Sequence, residues 1–113
     1  MSQTYSGVPR RDARFGFAIV HGRSMEPTLR AGDRLLIAYR GRPRVGNLVV
    51  AAFPDGVRAV KRITAKRETG WWLSSDNADH GVDSRHRGPL EDERIRAVVR
   101  ARVWPRPRLF TAG

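Results

Sequence analysis

A mainly β fold is predicted for this chain, and three features of the sequence predict it. Apolar residues come in short runs of strand length, several of those runs alternate with a period of two, and no stretch of useful length carries a helical period. Turn-forming residues separate the runs, as in Ala31-Gly32-Asp33 and Pro54-Asp55-Gly56. The chain has 113 residues, which supports one domain and leaves too little core for a second.

Residues 1–14 carry Gly7, Pro9, Arg10, Arg11 and Arg14 without periodicity and are expected to form a basic N-terminal arm. The single folded domain is expected over residues 15–105, with 106–113 as a C-terminal tail. Phe15 to His21 is the first expected strand. The segment Gly22-Arg23-Ser24-Met25-Glu26-Pro27-Thr28-Leu29 follows. Proline is tolerated in the first turn of a helix, so a short helical turn is expected from Met25 to Arg30. Arg34 to Tyr39 and Leu48 to Phe53 are aliphatic strands, the second closed by the Pro54-Asp55-Gly56 turn.

In Val57 to Thr64 the side chains alternate between two faces. Arg58 and Arg62 share the face expected to meet water, whereas Lys61 lies between Ala59 and Ile63 on the face expected to be covered. Lys66 to Gly70 reads as a turn and Trp71 to Leu73 as a short strand. Ser74 to Gly88 is a long polar loop, of a length that goes with disorder or with function. The last strand, Arg94 to Trp104, is expected to turn Ile95, Ala97, Val99, Ala101 and Val103 inward and Arg94, Arg96, Arg100 and Arg102 outward.

Composition excludes several classes. Apolar residues make up 40 % of the chain, too many for a disordered tail, and the absence of cysteine removes disulfide frameworks and thiolate metal sites. A secretory signal needs roughly 7–15 apolar residues in a row and a membrane helix about 20. The longest run here, Leu48 to Phe53, is shorter than either. A soluble, cytoplasmic protein without a membrane anchor is the expectation. The 22 basic residues against 11 acidic ones give a net charge of +11, a field that favours nucleic acid, anionic membrane or an acidic protein.

The chemistry centres on Ser24, where a chain leaving a strand is expected to reverse and present a hydroxyl. Serine needs a base to become a nucleophile. His21, His80, His86 and the lysines are the candidates, with no Gly-x-Ser-x-Gly elbow and no Asp/His spacing to single out a triad. A lysine serves only when neutral, and burial among apolar neighbours, as at Lys61, favours that form. The commoner roles of such residues are a helix N-cap for Ser24 and a solvated strand edge for Lys61. In the polar loop, Asp76, Ala78 and His80 break the alternation of oxygen ligands that calcium needs, and His80 with His86 does not make a zinc set. Asp83 and Arg85 are placed to pair and pin the loop to the core.

Three segments together resemble a family. Ser24-Met25-Glu26-Pro27-Thr28-Leu29 is similar to the nucleophile box of the type I signal peptidases and their relatives, serine/lysine peptidases that include the SOS-repressor autopeptidases. Val60-Lys61-Arg62-Ile63 resembles the box that carries the general-base lysine. Asp76-Asn77, with Asp83-Ser84-Arg85 and Gly88, resembles the last, site-shaping box. Boxes in this order from about Val20 to Trp104, nearly the whole folded part, are far more specific than any one of them.

The resemblance implies a Ser24/Lys61 dyad, an oxyanion held partly by the Ser24 backbone N–H, and a substrate pocket shaped by Gly22, Met25 and Pro27. It implies a protein precursor bound as an extended strand against a sheet edge, and no metal or other cofactor. Within the family, a short form without an anchor is similar to the subgroup that removes N-terminal leaders from nickel-type superoxide dismutase, a resemblance to which Trp71-Trp72 adds. Three positions depart from the family pattern. Gly22 stands where many members have a serine that helps bind the oxyanion, Gly81 where a serine contacts the lysine, and Ser75 where a glycine precedes Asp-Asn. Lysine orientation and oxyanion binding are therefore expected to be less complete here than in the larger enzymes. The competing expectation is a basic β-domain whose Arg94, Arg96, Arg100 and Arg102 face grips phosphates. No base-reading motif accompanies that face, so nucleic acid is not the expected partner. The sequence leaves the oligomeric state open.

Overall fold

The structure, a computed structural model, describes residues 14–110. The expected N-terminal arm, apart from Arg14, lies outside the described residues. Within them the chain forms one antiparallel sheet of seven strands: β1 (Phe15–Ile19), β2 (Arg34–Ala38), β3 (Leu48–Ala52), β4 (Arg58–Arg67), β5 (Gly70–Ser74), β6 (Ile95–Trp104) and β7 (Arg108–Leu109). The spatial order is β1-β2-β6-β3-β4-β5, with β7 alongside β6. The mainly β expectation is met, and every long strand overlaps the run that predicted it.

β3 occupies the middle of the sheet and is buried along its whole length. Leu48 and Val50 point into one apolar cluster, and Val49 and Ala51 into another. Successive residues of a strand face opposite sides, so the sheet has a core on each face. The first core takes Met25 and Leu29 from the Ser24 segment, and the second takes Phe53, Leu73 and Leu90. A strand buried on both faces needs a continuous aliphatic run, which is why Leu48 to Phe53 does not alternate.

Several expectations change in detail. β4 continues to Arg67, so the turn expected over Lys66 to Gly70 is only the Glu68-Thr69 link, closed by the Arg67/Gly70 pair. Arg62 does not share the exposure of Arg58, because it pairs with a carboxylate of the polar loop. The polar loop itself contains a short helix, α1 (Ser84–Arg87).

β6 does not alternate cleanly either. Val98 is fully buried in the second cluster, Val103 is exposed, and the Arg102 side chain is only 11 % exposed. Arg102 donates to the carbonyls of Thr28 and Arg106 and lies 3.5 Å from the Asp33 carboxylate. Register shifts against both β2 and β3 rotate these residues off the simple period. The proposed phosphate-gripping stripe thereby loses one of its four arginines to an internal ion pair. Past Trp104 the chain does not run free: Arg108–Leu109 pair with Arg102 and Ala101, and Phe110 packs on the first core.

Candidate active site

The Ser24 segment is a series of turns between β1 and β2. Its base is tied by Val20 N–H to Asp33 O at 2.9 Å and Gly32 N–H to Val20 O at 2.8 Å. Gly22, at φ 77°, lies in the left-handed region where a side chain is strained, which suits glycine at this position. The expected helical turn reduces to one i→i+4 bond, Leu29 N–H to Met25 O at 2.9 Å, and Met25 and Leu29 anchor it in the core. Pro27 is exposed. Met25, expected to line a substrate pocket, is only 2 % exposed and packs in the core. Its sulfur accepts from the Asp76 N–H at 3.5 Å.

Lys61 leaves β4 on the covered face, as its neighbours predicted, and is 1 % exposed. Its amine and Ser24 both lie close to Gly81. A Cβ placed on Gly81 would stand 2.6 Å from Ser24 Cβ, 2.8 Å from Lys61 Nζ and 3.3 Å from Ser24 Oγ. Hydroxyl and amine thus both border the point where a side chain on Gly81 would begin. Burial pushes the Lys61 ammonium down from 10.5 to about 8, against the opposing pull of the Asp83 carboxylate. His21, His80 and His86 are all exposed, and among the described residues none hydrogen-bonds Ser24.

The polar loop is a brace for this meeting point. Asn77 N–H donates to Ser24 O at 2.9 Å, and its side-chain amide donates to Arg23 O at 3.1 Å. Asp76 accepts two bonds from the Arg62 guanidinium, at 2.8 and 2.9 Å, and one from Thr28 Oγ1 at 2.5 Å. Burial alone would raise the Asp76 pKa, but the bonds from Arg62 and Thr28 outweigh it and hold the carboxyl below its usual range. These contacts tie the nucleophile segment, the lysine strand and the loop to one carboxylate.

Asp83 is buried and caps α1, accepting from Arg85 N–H at 3.0 Å and from Arg85 Nε at 3.1 Å. It also accepts from Ser75 N–H at 3.0 Å. Burial pushes its pKa up, and these donors more than reverse the effect. Arg85 continues to Ala78 O at 2.6 Å, so the expected Asp83/Arg85 pin is present. Ser84 Oγ accepts from Leu73 N–H at 2.8 Å and fastens α1 to β5.

Ser24, Lys61 and Gly81 therefore converge, and Asp76, Asn77, Asp83, Ser84 and Arg85 hold the frame around them. Sequence reasoning missed the contribution of Ser75, whose Oγ accepts from Lys61 Nζ at 3.0 Å. It also missed Thr28 and Arg62 as partners of Asp76. Position 81 offers the amine no hydroxyl, and Ser75 brings one to it. Among the described residues no cluster of three or more His, Cys, Asp or Glu could hold a metal ion, and no helix is long and apolar enough to cross a membrane.

Comparison with known proteins gives this mainly β sheet its class, a signal-peptidase-like hydrolase. The chain belongs to the Peptidase S24-like family, whose sequence profile matches residues 3–99. It is 31 % identical to the mitochondrial inner membrane protease subunit 1 of Schizosaccharomyces pombe, over 82 % of this chain and 76 % of that protein. It is 34 % identical to the protein of the same name from Xenopus tropicalis, over 77 % of this chain and 68 % of that one.

Proposed function

We propose that the chain is a serine endopeptidase in which Ser24 is the nucleophile and Lys61 the general base, and that it removes an N-terminal leader from a precursor protein. The observation that carries this reading is the approach of a buried, acid-shifted amine and a serine hydroxyl to the same point, where a side chain on Gly81 would begin. At a pKa of about 8, roughly a tenth of the lysine is neutral at pH 7, against a few parts in ten thousand at the ordinary value. Burial thus raises the population of competent base by a factor in the hundreds.

In the first half-reaction Ser24 Oγ bonds to the scissile carbonyl carbon as Lys61 Nζ takes the hydroxyl proton. The lysine then passes that proton to the departing amine, leaving an ester on Ser24. In the second, the neutral amine takes a proton from water as the water oxygen attacks the ester carbonyl, and collapse returns the proton to Ser24. The Ser24 N–H, which donates to no acceptor among the described residues, is available to the oxyanion. Among the described residues β1 is an edge strand of the sheet, and it runs directly into the serine turn, so a substrate added as a strand along it would bring its scissile bond to Ser24.

The particular substrate proposed is the nickel-type superoxide dismutase precursor, on the resemblance to that subgroup to which Trp71-Trp72 adds. The named relatives are mitochondrial inner membrane protease subunits, so a precursor carrying an inner-membrane sorting leader is the comparison substrate. Each precursor is incubated with the protein and with its Ser24→Ala and Lys61→Met variants, and the products are read by mass spectrometry. The proposal expects one cut at the leader junction by the unaltered protein and a loss of about 10³-fold or more in each variant with its fold retained. Undiminished cleavage by either variant would remove the dyad. Cleavage of only the comparison precursor would remove the superoxide dismutase assignment and leave the peptidase.

A further inference from the structure

We infer that Ser75 is the positioning residue for Lys61, supplying from the first residue after β5 the hydroxyl that sets the direction of the amine. The inference rests on the Ser24/Lys61 reading and adds to it a residue that the family pattern places elsewhere.

A neutral amine has one lone pair and must aim it at the proton it is to take. Rotation about the last bond of a lysine leaves that direction undetermined unless one of the N–H groups is held. Ser75 Oγ holds one, accepting from Lys61 Nζ at 3.0 Å, and both residues are buried, so water does not compete for the contact. A hydroxyl oxygen accepts from the ammonium and, more weakly, from the neutral amine, so the hold persists through the catalytic cycle.

Ser75 is itself fixed. Its N–H donates to Asp83 Oδ2, and the buried Asp83 is clamped by Arg85. Its place opposite Lys61 follows from the register of β4 and β5. Arg62 pairs with Ser74, so the next antiparallel pair outward joins Lys61 to Ser75. That register exists because of an irregularity between Ile63 and Ala65. Counted back from the Arg67/Gly70 closure without it, Lys61 would face Asp76 instead.

Position 81 has no room for the alternative. A Cβ there meets Ser24 Cβ at 2.6 Å, and the backbone lies at φ +80°. The two departures from the family pattern are therefore one exchange: a hydroxyl at 75 goes with a glycine at 81. Of the charged groups around the amine, Asp83 is the one that acts on it, while Asp76 faces Arg62.

Ser75→Ala removes one oxygen and keeps the backbone bond to Asp83, and Ser75→Thr restores the hydroxyl. For Ser75→Ala the expectation is a fall in kcat of about 10–100-fold with KM little changed, as for a misaimed catalytic group. The alkaline rise of kcat/KM should also begin at lower pH, because an acceptor for the charged amine is gone. Ser75→Thr should recover kcat to within a few-fold and return the pH profile. If the alanine variant fails to fold, Ser75→Cys, nearly isosteric and a weak acceptor, takes its place with the same expectations. A folded variant without the hydroxyl that keeps kcat within twofold and an unmoved pH profile would overturn the inference. So would a folded Ser75→Thr as impaired as Ser75→Ala. Inactive Ser24→Ala and Lys61→Met controls confine such a failure to Ser75, whereas active controls would mean that the dyad has failed.

Discussion

Gly81→Ala tests the geometry of the site more directly than removal of either reacting group. A methyl at this position would lie 2.6 Å from Ser24 Cβ and 2.8 Å from Lys61 Nζ. The lysine amine is the far end of a flexible side chain and can swing away at the cost of its Ser75 bond. Ser24 Cβ cannot yield without moving the backbone. Two costs therefore add: about 1–2 kcal/mol for a side chain in the left-handed region and about 1–3 kcal/mol for overpacking. Gly56→Ala separates them, because Gly56 has a similar φ of +90° and nothing within 4 Å of its added Cβ. Urea unfolding followed by tryptophan fluorescence should give Gly56→Ala the first cost alone and Gly81→Ala both. Displacement of Ser24 by something on the order of 1 Å should lower kcat/KM of Gly81→Ala about 10²-fold in a leader-peptide cleavage assay, with Gly56→Ala unaffected. Equal stability of the two variants, with cleavage by Gly81→Ala intact, would show that the serine and the lysine do not meet over this glycine.

Further outcomes follow from the same charges. Cleavage should rise with pH through about 8, the value to which burial lowers Lys61, and a midpoint near 10 would mean an ordinary, solvated lysine. Because the folded value lies below the unfolded 10.5, the unfolded chain binds more protons between the two, so stability should increase from pH 8 to 10.5 by about 3 kcal/mol. Lys61→Met should abolish that slope and be the more stable protein at pH 7, which urea midpoints at pH 7 and 10 would show. Asp83→Asn removes the charge that holds the Lys61 value up, so whatever cleavage remains should rise at lower pH than in the unaltered protein. Asp76 is held below its usual range by Arg62, so its stabilising effect is present above about pH 4 and is lost as pH falls through the folded value. Arg62→Met should cost about 1–3 kcal/mol near neutrality, and acid titration by circular dichroism should then show unfolding at a higher pH.

Much of the fold was legible because strand-sized aliphatic runs and Gly/Pro turns carry local information. The Leu48 to Phe53 run marked the strand buried on both faces, and the placement of Lys61 between Ala59 and Ile63 predicted a covered amine. The β6 arginines were less legible. Alternation alone sends Arg102 outward, but the ladder shifts bring it to Asp33 and Thr28, an interaction between positions far apart in the chain. Arg62 was misplaced for the same reason, since its carboxylate lies in a loop with no periodicity. The helix inside that loop was missed because four residues are too few to show a helical period, although the Asp83 cap was there to be seen.

Composition and local pattern by themselves determined that this chain would be a β protein, that Ser24 would sit at a reversal after the first strand, and that Lys61 would leave the covered face of its own. Tertiary structure decided which groups the amine would meet. Side-chain alternation tells which face a residue takes but not which residue stands across from it, because that depends on the register between strands. Here a one-residue irregularity in β4 sets Ser75 opposite Lys61 and releases Asp76 to Arg62. Gly81 of the polar loop then borders both the serine and the lysine, an arrangement between segments that no local pattern encodes.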